Sequence, residues 1–518
     1  MSKVFLKKGY LCVMADEAVN PACKRAGFHF LKDYKLWATP FPSVVAKLTQ
    51  NKNLISGLEA IALRNYAHSA DAVSTFSVPV PSGLRYFPFQ LAGVGEVVRR
   101  MLLYRSAFLF DEQGLGKTIQ AAGFINHAGL RKILVVCPAS LKINWSRELR
   151  KWLVGDHSIH VVNGNDINVG VDVLVINYDL LKRHAAKLAP VPYELVVYDE
   201  VHYLKNSKAQ RTCAAFGTRG KGGAVNAERL LALSGTPIPN RPAELFTVLN
   251  KALPIGFPNK NNYLKRYCNL HIDSLGYWND KGSSNLDELN LKLRSTLMIR
   301  RLKADVLKDL PAKTHQIIVL EPKGAGLEKA IRKERDLLAE FRGDVDKLRG
   351  SIDGDTPVAT IKREIGEAKV KAAIAHLEDS ITASGRVIAF CYHKSVAASL
   401  KKHFGDRSVV LTGSTTQVNR QAAVDKFQSG QVELFIGNID AAGTGITLTA
   451  SSHVVFIELS WESGKNEQAA DRAHRIGQKD NVLIQYLVYD DSIDAYIAKA
   501  VKEKAEVIEQ ALDESFLL

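Results

Sequence analysis

No run of roughly 18 apolar residues, the length a membrane-crossing helix needs, occurs anywhere in the chain. The six cysteines (Cys12, Cys23, Cys137, Cys213, Cys268 and Cys391) are scattered, and no two form a C-x-x-C pair. That spacing argues against a zinc site and a disulfide frame and for a reducing compartment. The stretch Met1–Lys8 (MSKVFLKK) lacks the apolar core of a signal peptide, and neither a fixed-period repeat nor a low-complexity tail is present. These absences set aside a membrane protein and a secreted scaffold in favour of an intracellular one. Negative charge is also in deficit. Lys and Arg number 69 against 54 Asp and Glu, a net charge of +15 and a pI near 9.3. A surplus spread over the whole chain fits a polyanion partner, nucleic acid before membrane, or simply a basic protein. The length of 518 residues suggests roughly two to four domains, and 46% apolar residues supply ample core.

What is there centres on Asp111–Thr118 (DEQGLGKT). A short apolar run, Ser106–Phe110, precedes it and reads as a buried strand; Ile119–Ile125 reads as the start of a helix. Strand, Gly-rich turn, Lys-Thr and helix make a phosphate cradle. Gly114 and Gly116 let backbone N–H groups approach phosphate, the helix N-terminus favours negative charge, Lys117 reaches the β/γ-phosphates, and the Thr118 hydroxyl can sit on Mg²⁺. The general pattern G-x-x-x-x-G-K-[ST] wants Gly where this chain has Asp111.

Around that loop, apolar runs alternate with helical patterns: Phe108–Phe110, Ile133–Val136, Val173–Ile176, Leu195–Tyr198 and Leu230–Leu233, then Val387–Phe390, Val409–Leu411, Leu434–Ile436, Val454–Ile457 and Leu483–Val488. Fully apolar strands alternating with helices predict parallel sheets covered on both faces. Between the two sets, 246–383 reads as a charged helical insert, including the stretch 327–338. A charged helix is expected over 491–515. Residues 1–80 read as a small α+β module, with two short strands over 27–39, a helix starting at Pro42, and a Ser/Val/Pro-rich linker over 71–83. Phe28, Phe30 and Trp37 are either its core or a stacking surface for bases. The expected domains are 1–80, 81–245, 246–383 and 384–518.

Chemistry is carried by few residues. The run Leu195–Tyr198 ends in Asp199 and Glu200, placing one carboxylate for Mg²⁺ and one to orient the attacking water. Ser234–Pro237 follows Leu230–Leu233, where small hydroxyl residues can link the phosphate site to movement of a bound polymer. Gln90, upstream of the loop, offers an amide suited to the edge of adenine. In Gln468–Gln478, Arg472 and Arg475 stand three apart, on one face if the segment is a helix, and guanidinium groups that reach the γ-phosphate from a second domain act as arginine fingers.

Taken together, Asp111–Thr118, Asp199–His202, Ser234–Pro237 and Gln468–Gln478 resemble, in order and spacing, the superfamily-two helicase-like ATPases. DEQGLGKT and DRAHRIGQ resemble the SWI/SNF-type branch, which carries Asp at the Asp111 position. Arg300–Val306 with Leu310–Lys313 also looks like that branch, and Ser234–Leu245 with Gly282–Leu286 looks like its annealing-helicase (HARP-like) members. The resemblance covers about 84–505. It implies an α/β fold of two RecA-like lobes with helical protrusions and the small N-terminal module. It implies ATP and Mg²⁺ as cofactors, with Gln90 at adenine, and Asp111, Gly114, Leu115, Gly116, Lys117 and Thr118 around the phosphates. Thr118 and Asp199 would serve the metal and Glu200 the water, with Gln468, Arg472 and Arg475 completing the catalytic set from lobe two. DNA contacts would map to Pro138, Ser140, Asn177 and Tyr178 in lobe one, and to His393, Lys394, Thr412, Gly413, Gly443, Thr444 and Gly445 in lobe two.

The expected activity is a DNA-stimulated ATPase that translocates on duplex DNA and reanneals branched or partly melted DNA. Two alternatives stay open: displacement of proteins such as RNA polymerase from DNA, and strand separation. The expected setting is the cytoplasm of a bacterium, or a virus, with DNA as partner and no membrane; in a eukaryote it would be the nucleus. Substrate recognition by residues 1–80 is a further expectation of the resemblance.

Overall fold

The computed structural model describes the chain except residues 1–3, 8–9, 16–18, 46–51, 218–224, 236–240, 273–275, 308–309, 312, 323–326, 329–330, 334, 337–356, 443–445, 461–462, 491, 493 and 496–518. The expected helix over 491–515 lies mostly, and Thr236, Pro237, Gly443, Thr444 and Gly445 wholly, outside the described residues, as do five of the twelve residues of the charged stretch 327–338. The chain divides into two compact units, one through Val306 and one from Leu307. That division falls inside the 246–383 stretch.

The first unit opens with an antiparallel sheet of β1 (Val4–Lys7), β2 (Tyr10–Met14), β3 (His29–Leu31) and β4 (Leu36–Thr39), in the order β1-β2-β4-β3. Leu11, Val13, Cys23, Phe28 and Leu58 form its core, with Trp37 packed against them. Trp37 donates its indole N–H to Asn20 and its ring lies 5.1 Å from that of Phe30. The module's aromatics therefore serve its packing.

The main sheet of this unit comprises β5 (Ser106–Leu109), β6 (Ile133–Cys137), β7 (Ile159–Val161), β8 (Val173–Asn177), β9 (Tyr193–Asp199) and β10 (Ala227–Leu233). A two-stranded hairpin follows, β11 (His271–Ile272) with β12 (Trp278–Asn279), and β13 (Met298–Ile299) returns to the main sheet. All main-sheet pairings are parallel, in the order β13-β5-β10-β9-β6-β8-β7. Strands without polar positions bury both faces, as β6 shows: all five residues are buried, with Leu134 and Val136 in one cluster and Ile133, Val135 and Cys137 in the other.

The second unit repeats the plan with β14 (Lys313–Leu320), β15 (Val387–Cys391), β16 (Ser408–Leu411), β17 (Leu434–Asn438), β18 (His453–Phe456) and β19 (Val482–Tyr489), all parallel, in the order β14-β19-β18-β15-β17-β16. Two RecA-like α/β lobes thus carry the chain, as expected. β1, β2, β7 and β11 to β14 are additions to the reading of the sequence, and β11 to β14 occupy the stretch read as helical. β14 is an edge strand with mostly exposed side chains, so it lacks the apolar run that marks its neighbours.

Candidate ATP-hydrolysis site

The Gly-rich turn follows β5 and runs into the helix Lys117–Ala128, so the first helical N–H groups open onto the loop. Gly114 and Gly116 take φ of 90° and 72°, a left-handed conformation that suits glycine. A side chain at 116 would meet the Gln90 amide at 2.5 Å. Lys117 Nζ lies back over the turn, donating to the main-chain oxygens of Asp111 (2.8 Å) and Glu112 (3.2 Å). Leu115 is fully buried. Backbone donors, a lysine and the Thr118 hydroxyl fit a triphosphate with its metal.

Asp111 does something other than face phosphate. Its carboxylate is buried without exposure and receives Arg301 through Nε (3.0 Å), Nη2 (2.7 Å) and the backbone N–H (3.1 Å). Gln120 donates to the same carboxylate at 2.9 Å and accepts from Arg301 at 2.9 Å. Gly93 faces this cluster so closely that an added Cβ would lie 1.8 Å from Gln120 Oε1. The neighbours are held likewise: Arg300 donates to the Phe110 carbonyl (2.7 Å), and Glu112 accepts from the Lys303 N–H (2.7 Å). The segment 299–303 therefore grips the entry to the phosphate loop residue by residue. The R-R-x-K run was visible in the sequence as a family likeness; nothing in it alone pointed to Asp111.

Gln90 lies against the phosphate loop. It is 1% exposed, accepts the Phe87 N–H at 3.0 Å and donates to the Leu115 carbonyl at 3.5 Å. Its amide thus caps the helix Pro88–Tyr104 and touches the loop, which leaves its polar edge turned away from solvent.

β9 ends at Asp199, and Glu200 turns the chain with a left-handed φ of 52° into the short helix Val201–Leu204. Asp199 Oδ2 accepts the Trp145 indole N–H (2.7 Å) and Oδ1 the Glu200 backbone N–H (3.0 Å). Burial, and then the adjacent Glu200 charge, push the Asp199 carboxyl up to about 7. Each of its oxygens keeps a second lone pair, so a cation or its water can still be accepted. Ser234 donates to Glu200 Oε2 (3.0 Å), Gln113 approaches Oε1 (3.5 Å), and His202 lies 3.4 Å from both Ser234 Oγ and Glu200 Oε2. Ser234 is thereby tied to the carboxylate expected to orient water.

The lobe-one residues expected at DNA divide by exposure. Ser140 is half-buried, whereas Pro138, Asn177 and Tyr178 are buried, Tyr178 at 1% exposure with its hydroxyl on the Asp199 carbonyl (2.7 Å). A side-chain contact between Tyr178 and DNA does not fit this placement. In lobe two, Lys394 is exposed and opens the helix Lys394–Phe404 after β15, while Gly413 is exposed and Thr412 half-buried in the loop after β16. His393 pairs with buried Glu458 at 2.6 Å, and Glu458 also accepts the backbone N–H groups of Tyr392 and His393.

Arg472 and Arg475 do not share a helical face, because the helix Ser463–Ala470 ends before them. The Arg472 carbonyl is taken by the Leu448 N–H and the turn continues through i→i+3 bonds at 472 and 473, so regular winding stops. Arg472 Nε donates to the carbonyl of buried Gln468 (3.0 Å), and Arg475 Nε to that of Asp471 (3.0 Å).

Two parallel α/β lobes, one carrying a phosphate loop and a strand-end Asp-Glu pair, define a fold of the helicase-like kind with a candidate nucleotide site. An SNF2-related domain matches residues 44–343, more than half of the chain, and a helicase conserved C-terminal domain matches 368–477. The chain belongs to the SNF2-related family. Among its relatives is the SWI/SNF-related matrix-associated actin-dependent regulator of chromatin subfamily A-like protein 1 of Xenopus tropicalis, 34% identical, with 83% of this chain and 45% of that protein covered. The human DNA annealing helicase and endonuclease ZRANB3 is 33% identical, with 84% and 41% covered. The chain thus spans less than half the length of these two relatives. The Sulfolobus solfataricus SWI2/SNF2 ATPase core in complex with dsDNA aligns with 86% of this chain and 100% of that one, at 19% identity and a TM-score of 0.41. Among the described residues no helix is long and apolar enough to cross a membrane.

Proposed function

We propose that the chain couples Mg²⁺-dependent ATP hydrolysis to translocation on duplex DNA and remodels branched or partly melted DNA, reannealing strands. The observation that supports this is the grouping in lobe one of a Gly-rich Lys-Thr turn with Asp199 and Glu200 at a strand end, in a chain similar to a protein named a DNA annealing helicase. Gly114, Gly116, Lys117 and Thr118 would hold the phosphates, Thr118 and Asp199 the metal. Magnesium would neutralise charge on the transferring phosphoryl group. Glu200, steadied by Ser234, would orient the attacking water, and Arg472 and Arg475 of lobe two would supply cationic charge. DNA contacts through Ser140, Lys394, Thr412 and Gly413 would be mainly to phosphate, hence indifferent to sequence and weakened by salt.

The test is steady-state hydrolysis without DNA and with single-stranded, blunt duplex and forked DNA. Forked DNA is expected to stimulate most; equal stimulation by blunt duplex would favour a general translocase that strips bound proteins. Lys117→Ala should abolish turnover while largely preserving DNA binding, and normal turnover in that variant would refute the site.

A further inference from the structure

We infer that Asp199 is the junction at which two loops of lobe one act on the hydrolytic site, with Trp145 and Tyr178 as positioning residues. The inference rests on the functional reading above. β8, β6 and β9 are consecutive neighbours in the parallel sheet, so the chain leaves them side by side at one edge. The loop after β6, containing Ser140, leads directly into the helix Lys142–Trp152, whose Trp145 indole meets Asp199 Oδ2 at 2.7 Å. The residue after β8 is Tyr178, whose hydroxyl meets the Asp199 main-chain oxygen at 2.7 Å. One loop therefore reaches the carboxylate and the other reaches the backbone that carries it.

Both rings are 1% exposed, so each is fixed by packing and moves with its helix. An indole N–H can only donate, and its bond to a carboxylate is charge-assisted and directional. Trp152, on the same helix and also buried, has no hydrogen-bond partner for its N–H among the described residues. Satisfying a core tryptophan therefore does not by itself account for the bond at Asp199. A displacement of the 138–140 loop by a DNA backbone would tilt the Trp145 indole and turn the Asp199 carboxylate against Glu200 and Lys117. Displacement at 177–178 would shift the Asp199 main chain.

Trp145→Phe and Tyr178→Phe each keep a ring and remove one donor. In the whole chain, the ratio of DNA-stimulated to DNA-free hydrolysis is expected to fall about three- to tenfold in each variant. Coupling is reciprocal, so a second readout avoids turnover altogether. A non-hydrolysable ATP analogue should change the duplex-DNA affinity of the wild type, and that change should shrink in both variants. If Trp145→Phe does not fold, as thermal unfolding will show, Tyr178→Phe carries the test. An unchanged ratio and an unchanged analogue effect, with the wild type stimulated, would overturn the inference alone. Basal and stimulated rates falling together at constant ratio would also overturn it, leaving a purely supporting role. A wild type that DNA does not stimulate would overturn the functional reading and this inference with it.

Discussion

At the scale of single residues, Asp199 sits in a position that costs stability until something cationic joins it. Its folded-state acidity is weakened to about 7, against an ordinary aspartate value of about 4 in the unfolded chain. Between those values the folded state binds the extra proton, so in the nucleotide-free protein this group's contribution to stability falls as pH rises toward 7. Asp199→Asn removes the buried charge. Its unfolding midpoint should lie above that of the wild type at pH 8, with the difference shrinking toward pH 5; equal differences at both would contradict the assignment. The Asp-Glu pair was legible because an apolar strand ending in two carboxylates after a phosphate loop has few other uses. Trp145 was not legible, since a lone tryptophan in an amphipathic helix is ordinarily core, and burial is what the sequence encodes. For Tyr178 and Gln90, position along the chain was informative but side-chain direction was not. Both lie beside the site, turned inward.

Among the elements, the short segment 299–303 carries more than its length suggests. β13 adds two residues to the sheet, yet the residues that follow it close the loop entry through Arg301 and Lys303. Arg301→Ala leaves the Asp111 carboxylate buried and unpaired, a loss of about 3–5 kcal/mol. Arg301→Leu combined with Asp111→Ala should recover part of that loss, because no isolated charge remains. Denaturant unfolding of both variants checks this; a double variant less stable than the single one would contradict it. The Asp that breaks the general phosphate-loop pattern thus has a structural partner, which spacing along the chain could not reveal. Strands with continuous apolar runs were legible for the reason they fold: they bury both faces. β13 is too short and β14 too exposed to leave that trace, and the Arg472–Arg475 spacing suggested a helix that tertiary hydrogen bonds end first. The N-terminal module is tied in as well: Asn65, on the helix Lys52–Ala67, donates to the Ser295 carbonyl, and buried Arg100 donates to the Asn65 carbonyl. Point substitutions on its exposed surface therefore probe the module more cleanly than deletion of 1–80.

For the whole molecule, two units with separate cores and one phosphate loop make ligand effects unequal. A non-hydrolysable ATP analogue at 100 times its Kd should stabilise the unit that holds residues 111–118 by about 2.7 kcal/mol. Scanning calorimetry should then show the transition of that unit rising, and an unmoved transition at saturating analogue would argue against nucleotide binding at residues 111–118. The Asp111–Arg301 pair has a further consequence, in the order of synthesis. The two partners are 190 residues apart, so the loop's carboxylate leaves the ribosome long before its guanidinium exists. At about 5–20 residues per second that interval is roughly 10–40 s. Both sheet neighbours of β5, β10 and β13, also lie later in the chain, so the strand and the carboxylate that follows it wait for partners together. The contact that holds Asp111 is thus among the last of its lobe that synthesis makes possible.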